Sequence, residues 1–465
     1  MLKSKAPSEV PLRRVDSRLS EMTSSEPEPQ LKVCVLAACP FPANHGTPGS
    51  IRELSEAIAA RGHEVRVVTY HMGQDIPMQG IQLHRIKSLT KESGVVVGPT
   101  VRRPLYDLQM VFETIKVIRT HGIDIMHAHG YEAALAGWIA KMFTGVPLVY
   151  SGHNTMADEL ASYDFIRPKW FADKLAKFLD AWVPRAGNRC VPHSHNIKSF
   201  LHGMGLGERC EPVVNFGIDI DAVAGGDGDR VRKEYNLGDG PVILYAGVMD
   251  AFQRVDLLLE ALVEVAYVEP DVKLLLAVTI DQPKHVEKIR AMAEQLGIAE
   301  RVVITDLQTL DTIPDFLQAC DVAVVPRPAA PGFPIKLLNY MAATKPCVMF
   351  ASSSSGLTHR ENVYLVDRDS SEALAGGLID VLKDESLQGH LAREGHRFVR
   401  ANHDRRGTAK LLCDTYLRAL EGNKRFEEVA ARPRVVVDHS HHAPHIDSRP
   451  KVREATQETS VGAST

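Results

Sequence analysis

Lys336 and Asn339 stand three residues apart just after Gly332-Phe333-Pro334, inside the run VAVVPRPAAPGFPIKLLNYMAATKPCVMF from Val322 to Phe350. Three residues is close to one helical turn, so a cation and an amide share a face there. Pro tolerates the first helical position, where its missing N–H leaves nothing unpaired, so a helix is expected to begin near Gly332-Phe333-Pro334. The other early N–H groups and the helix dipole suit a phosphate. An apolar run, a Gly/Pro loop, a short helix and a second apolar run together suggest a pocket for a nucleotide diphosphate. On this stretch alone an ordinary βαβ crossover, with Gly332 turning the chain and Lys336 in solvent, is equally open.

Such a loop needs a sheet edge to sit on, and the rest of the chain supplies two. From Leu31 short β-rich runs alternate with helical segments. LKVCVLAA reads as the first strand, followed by SIRELSEAIAARG, an amphipathic helix with Ser50 as N-cap and Gly62 as its stop. EVRVVTY, DIMHAH, PLVYSGH and RCVPHS read as further strands. Gly, Asn and Ser gather at their carboxyl ends, where open α/β sheets bind ligands. The pattern breaks around VVNFGIDIDAVAGGDGDRV and restarts at PVILYAGV, continuing through VKLLLAV, RVVIT, VAVVPR and PCVMFAS. The expected fold class is α/β, with two doubly wound Rossmann-like domains facing a central cleft. Residues 31–220 form the first domain, and 221–430 form the second together with its terminal helices. Residues 1–30 read as a disordered lead, and 431–465 as a polar tail carrying His439, His441, His442 and His445.

A chain of 465 residues is too long for one core. With 44% hydrophobic and 24% charged residues it is globular in composition, and its net charge of −4 argues against a nucleic-acid partner. The seven cysteines are scattered without metal-knuckle spacing, a pattern of reduced thiols. No apolar stretch has the length of a membrane span, and the N-terminus lacks the hydrophobic core of a secretory signal, so a cytoplasmic location is expected.

With the motifs placed, the chain resembles glycosyltransferases of the GT-B fold, most closely the large retaining family four (glycosyl transferases group 1). The landmarks occur in order from about Leu31 to Leu420: HGTPGSIRELSEAIAARGHEV, DIMHAHG, SGHNT, VPHS, VVNFGIDI, PVILYAGVMDAFQRVDLLLEAL and GFPIKLLNYMAATKPCV. Such enzymes move a sugar from a nucleotide diphosphate to an acceptor, keeping the anomeric configuration. The resemblance implies a donor site in the second domain and an acceptor site mainly in the first. By it, the backbone at Gly332 and Phe333 cradles the diphosphate, Gly247 closes the first donor-side strand, and Asp306 and Leu307 lie where the base is read. His153 matches the family's active-site histidine, and Gly46 and Thr47 match the loop approaching the diphosphate from the first domain. Negative charge left on the diphosphate when the glycosyl bond breaks is stabilised by preorganised N–H groups and cations. No cofactor and no essential metal are implied. The aspartates Asp219 and Asp221 fall in the hinge, where a structural role is expected.

The departures from the family pattern fall on catalytic positions. Its two glutamates align with Pro331 and Asn339, and its diphosphate-binding Arg and Lys align with Val248 and Gln253. Asn339 still offers hydrogen bonds to a ribose, whereas Pro331 cannot stand in for a carboxylate. Lys336 is the preferred replacement cation, with Arg254 and Arg327 as further sources. Two other readings follow: a catalytically impaired protein that binds a nucleotide sugar as a sensor or partner subunit, and a nucleotide-sugar 2-epimerase.

The acceptor reads as a glycan or a lipid-linked molecule. In FIRPKWFADKLAKFLDAWVPR, Phe165 to Arg185, the side chains of Phe171, Leu175, Phe178 and Trp182 fall on one helical stripe with Lys174 at its edge. Packing of that stripe into the core is the commoner outcome for an amphipathic helix. Peripheral contact with a membrane surface is the other.

Overall fold

The computed structural model describes residues 28–43, 46–87, 102–157, 169–309, 311–328, 334–354, 356–432 and 434–435. The expected lead and tail therefore lie almost wholly outside the described residues, apart from a short antiparallel pairing of Glu28–Pro29 with Arg434–Val435.

Two six-stranded parallel sheets carry the rest. The first holds Lys32–Ala37 (β1), Glu64–Thr69 (β2), Ile81–Arg85 (β3), Ile125–His129 (β4), Leu148–Gly152 (β5) and Arg189–Pro192 (β6), in the order β3-β2-β1-β4-β5-β6. The second holds Val242–Gly247 (β7), Lys273–Val278 (β8), Val302–Leu307 (β9), Val322–Val325 (β10), Cys347–Phe350 (β11) and Tyr364–Val366 (β12), in the matching order β9-β8-β7-β10-β11-β12. The central strands are buried along almost their whole length, as parallel strands covered on both faces must be. This is the expected pair of doubly wound units. Each order reverses between two neighbouring strands, β1/β4 and β7/β10, and the crevice outside their carboxyl ends is where such sheets take ligands.

Helix Gly46–Ala60 (α1) covers one face of the first sheet. It begins a turn earlier than the expected cap at Ser50, because Pro48 suits a first turn. Ser50 instead lies inside the helix and donates to the Gly46 carbonyl at 3.3 Å. The opposite face is covered by Arg103–His121 (α2), Tyr131–Thr144 (α3) and Lys169–Trp182 (α4). On α4 the buried positions are Ala172, Ala176 and Asp180, while Trp170, Phe178 and Trp182 are exposed. The expectation that the aromatic stripe enters the core is thus overturned for Phe178 and Trp182. Small alanines allow close packing on the sheet side and leave the bulky rings outside.

The short helix Lys336–Ala342 (α5) links β10 to β11. Further on, Arg405–Leu420 (α6) and Arg425–Ala430 (α7), which sequence order groups with the second unit, lie on the first sheet instead. Leu412, Cys413, Tyr416 and Leu420 of α6 pack there with Ile51 and Ile58 of α1. The chain therefore returns to its first unit before it ends.

Candidate active site

At the switch point of the second sheet, β7 ends at Gly247 with φ +154°. A Cβ there would lie 2.6 Å from Lys336 Nζ, so any other residue would push the ammonium out of its present place. Lys336, opening α5, donates to Tyr245 Oη at 2.6 Å and to Gln253 Oε1 at 2.9 Å, with its Nζ 4.1 Å from the Tyr245 ring centroid. The Tyr245 hydroxyl in turn donates to the Val248 carbonyl at 2.7 Å. Burial lowers the Lys336 ammonium to about 7; the Arg327 charge adds to this and Asp250 opposes it. The Arg327 guanidinium lies 5.1 Å from the Phe252 ring centroid, and burial lowers it as well. Gly247, Lys336 and Arg327 are thereby brought together.

Asn339 lies one turn along α5 and is half-buried. Gly332 and Phe333, expected to cradle the diphosphate, and Pro331 lie outside the described residues. Arg254 sits in the left-handed region at φ +54° and engages Asp256 through Nε at 3.0 Å and Nη2 at 2.9 Å. Its charge is thus already matched by a neighbouring carboxylate. Asp306 and Leu307 are exposed at the end of β9, where Thr305 Oγ1 donates to the Asp306 carbonyl at 2.7 Å.

The first sheet presents a column of histidines at the same edge. His127 and His129 close β4, while His153 and His193 follow β5 and β6. His127 bridges Tyr416 Oη at 2.8 Å and Ser151 Oγ at 2.7 Å. His129 Nδ1 meets His153 Nε2 at 3.2 Å, and His193 Nδ1 donates to the Val214 carbonyl at 2.8 Å. The His153 ring stacks on His193, their centroids 4.5 Å apart, and His193 stacks on Phe216 at 5.0 Å. Burial lowers His127 to about 3 and His193 to about 4, and holds His129 and His153 well below the usual imidazole range. All four are neutral at pH 7. His153 Nδ1 and His193 Nε2 are buried without a hydrogen-bond partner among the described residues. They border a small cavity closed by Ser50, Ile51 and Leu54 of α1 and by Asn215, Phe216 and Gly217. Gly46 and Thr47, expected in a loop, form the exposed first turn of that same α1.

His129, His193 and Phe216 were not singled out from the sequence. Their signal was present in DIMHAH, VPHS and VVNFG as polar rings closing successive strands. The cavity floor is also the hinge: His403 Nδ1 bonds the Phe216 carbonyl at 2.9 Å, and Asn215 donates to the Asn402 carbonyl at 3.1 Å.

Nitrogen atoms of His129, His153 and His193 lie within 4.8 Å of one another. Their ring planes, however, are only 17° to 35° apart. An imidazole lone pair lies in its ring plane, so the face-to-face rings of His153 and His193 do not both aim a nitrogen at one ion. The cluster is a stack of neutral donors and acceptors, suited to sugar hydroxyls. A second group, Glu28, His63 and Cys413, is already occupied by Arg61, whose Nη2 lies 2.7 Å from Glu28 Oε1.

Comparison with known proteins agrees with this fold. Residues 46–222 match the model described as Glycosyltransferase Family 4, and 227–398 match Glycosyl transferases group 1. The D-inositol 3-phosphate glycosyltransferase of Acidothermus cellulolyticus is 26% identical over 367 residues, covering 74% of this chain and 79% of that one. Sucrose-phosphate synthase from Thermosynechococcus elongatus shares the fold with a TM-score of 0.71 at 17% identity, covering 85% of this chain and 100% of that one. Anabaena HepE in complex with UDP does so with a TM-score of 0.64 at 18% identity, covering 83% and 99%.

Proposed function

We propose that this chain, which belongs to the GT-B glycosyltransferases through its family 4 and group 1 domains, transfers a sugar from a nucleotide diphosphate to a glycan or lipid-linked acceptor with retention of configuration. The observation that carries the reading is the Lys336 ammonium held over Gly247 at the switch point of the second sheet. In this role Lys336, with Arg327 behind it, offsets the charge left on the diphosphate as the glycosyl bond breaks. The backbone at Gly332 and Phe333 holds the phosphates, Asn339 the ribose, and Asp306 and Leu307 the base. His153 hydrogen-bonds the sugar, and the α1 start at Gly46 and Thr47 approaches from the other side.

Calorimetric titration with UDP and a panel of UDP- and GDP-sugars tests the donor, and product analysis with inositol 3-phosphate and lipid acceptors tests the transfer. Wild-type affinity and turnover in Lys336→Ala would remove the assignment. A second reading, a protein that binds the donor without turnover, draws on Asn339 at a glutamate position and on Arg254 being engaged by Asp256. Tight donor binding with neither transfer nor donor hydrolysis would favour it.

A further inference from the structure

All three tryptophans of the chain stand exposed on one side of one domain: Trp138 on α3 at 42% and Trp170 and Trp182 on α4 at 60% and 64%. Tryptophan is normally among the more buried residues, so three exposed together need a reason. They are not isolated. Of the thirteen large hydrophobic side chains exposed among the described residues, ten lie on α2, α3 and α4, the helices packed on one face of the first sheet. The outward arc of α3 is apolar throughout, from Leu135 through Trp138 to Phe143. An apolar surface of this extent marks a docking site.

We infer that the face formed by α2, α3 and α4 lies against an anionic lipid bilayer. The charges around the rings select this occupant. Lys174 and Lys177 stand exposed among the α4 aromatics, with Asp173 as the exposed acid of that helix, and Lys174 Nζ lies 5.2 Å from the Trp170 ring centroid. Arg119 is exposed at the end of the α2 stripe, beside Lys116, which is paired with Glu113 at 2.9 Å. Aromatic rings interleaved with lysines match the interfacial zone of a membrane, where indole rings sit at headgroup depth and ammonium groups reach lipid phosphates. A second copy of the chain fits less well, because two-fold pairing of this face brings like charges together. Among the described residues no helix is long and apolar enough to cross a membrane, so contact is by lying on the surface.

The face is tied to the active site. Asp180, on the buried side of α4, accepts from Met156 N at 2.8 Å and Ala157 N at 3.1 Å, just beyond His153. It also accepts from the Tyr131 hydroxyl of α3. Seating α4 on lipid therefore steadies the segment that follows His153. The inference deepens the transferase reading, on which it rests in one respect: it narrows the acceptor to a molecule carried at a lipid surface.

The tryptophans make the test direct. The full-length protein is floated with phosphatidylcholine vesicles with and without phosphatidylglycerol, while intrinsic emission is recorded. Co-flotation with the anionic vesicles, a blue shift and quenching by brominated lipid are expected. Lys174→Gln with Lys177→Gln weakens binding about thirtyfold, and Trp170→Ala with Trp182→Ala abolishes it. UDP affinity, measured separately on each variant, stays at the wild-type value, so loss of lipid binding and failure of the donor site are read apart. Absence of both flotation and shift overturns the inference. So does an emission shift that follows protein concentration alone with dimer in the ultracentrifuge, which assigns the face to a second copy. Equal binding to uncharged vesicles, unaffected by the lysine changes, overturns it as well.

Discussion

Lys336 Nζ lies 2.9 Å from Gln253 Oε1, so the ammonium carried by the helix after β10 meets the loop after β7. In the function proposed above, the helix after β10 supplies the cation that the family resemblance places at Gln253 in the loop after β7. An amide at Gln253 accepts from this ammonium, whereas a second lysine would repel it.

The relocation has a pH signature. With Lys336 lowered to about 7, the free protein holds this amine largely neutral at pH 8. A diphosphate favours the charged form, so donor binding at pH 8 takes up close to one proton, and at pH 6 it takes up none. UDP affinity then declines above pH 7 by up to about tenfold per pH unit. Titration calorimetry in buffers of differing ionisation enthalpy reads the proton directly, and Lys336→Met should abolish it. For folding the sign is opposite. The unfolded chain binds the extra proton between about 7 and 10.5, so this group favours the folded state increasingly as pH rises through that window.

Gly247→Ala tests the room left for that ammonium. The new methyl group meets Lys336 Nζ at 2.6 Å in a backbone conformation that side chains rarely adopt. A loss of about 1–3 kcal/mol in stability is expected from the strain. UDP affinity should fall together with the proton uptake described above. A variant that keeps both shows that Lys336 does not depend on this gap.

The histidine column separates turnover from stability. His153→Ala is expected to lower kcat by about a hundredfold, as loss of a hydrogen-bonding group at a reacting centre does, with UDP affinity little changed. Because His129 and His153 are held neutral, the pH–rate profile should show no limb near 6.5 that His153→Ala removes. Unfolding exposes these imidazoles, and the unfolded chain then binds protons below 6.5 that the folded chain refuses. Stability therefore falls as pH drops from 6.5 toward 4, by up to about 1.4 kcal/mol per pH unit for each buried ring. Thermal unfolding followed from pH 7 to 4.5 measures it, with His127→Gln as the comparison.

The two alternating units, and the ligand edge of each, were legible because parallel strands buried on both faces write continuous apolar runs. Lys336 could be placed on the ligand side of the sheet because it follows a Gly loop. Its partner Gln253 could not, since eighty-three residues separate them and only the β7–β10 adjacency brings them together. The fate of α4 was misjudged for a similar reason. A helical wheel shows that Phe178 and Trp182 share a stripe, but not that the alanine stripe beside it is the one the sheet receives. The return of α6 to the first sheet leaves no local mark at all, because its apolar face would fit either unit.

That return makes a prediction about folding. Tyr416 Oη lies 2.8 Å from His127 Nδ1 in the core of the first unit, and Arg418 Nε lies 3.2 Å from Glu211 Oε1. Tyr416→Phe strips a buried imidazole of one partner and should cost about 1–3 kcal/mol in chemical denaturation. A chain ending at Asp404 loses far more, since Leu412, Cys413, Tyr416 and Leu420 no longer cover the sheet. Such a protein should bind a hydrophobic dye and lose the cooperative unfolding of the first unit, while the second unit keeps its own core. A truncated chain that unfolds as cooperatively as the full one would place α6 outside the structural core of the first domain.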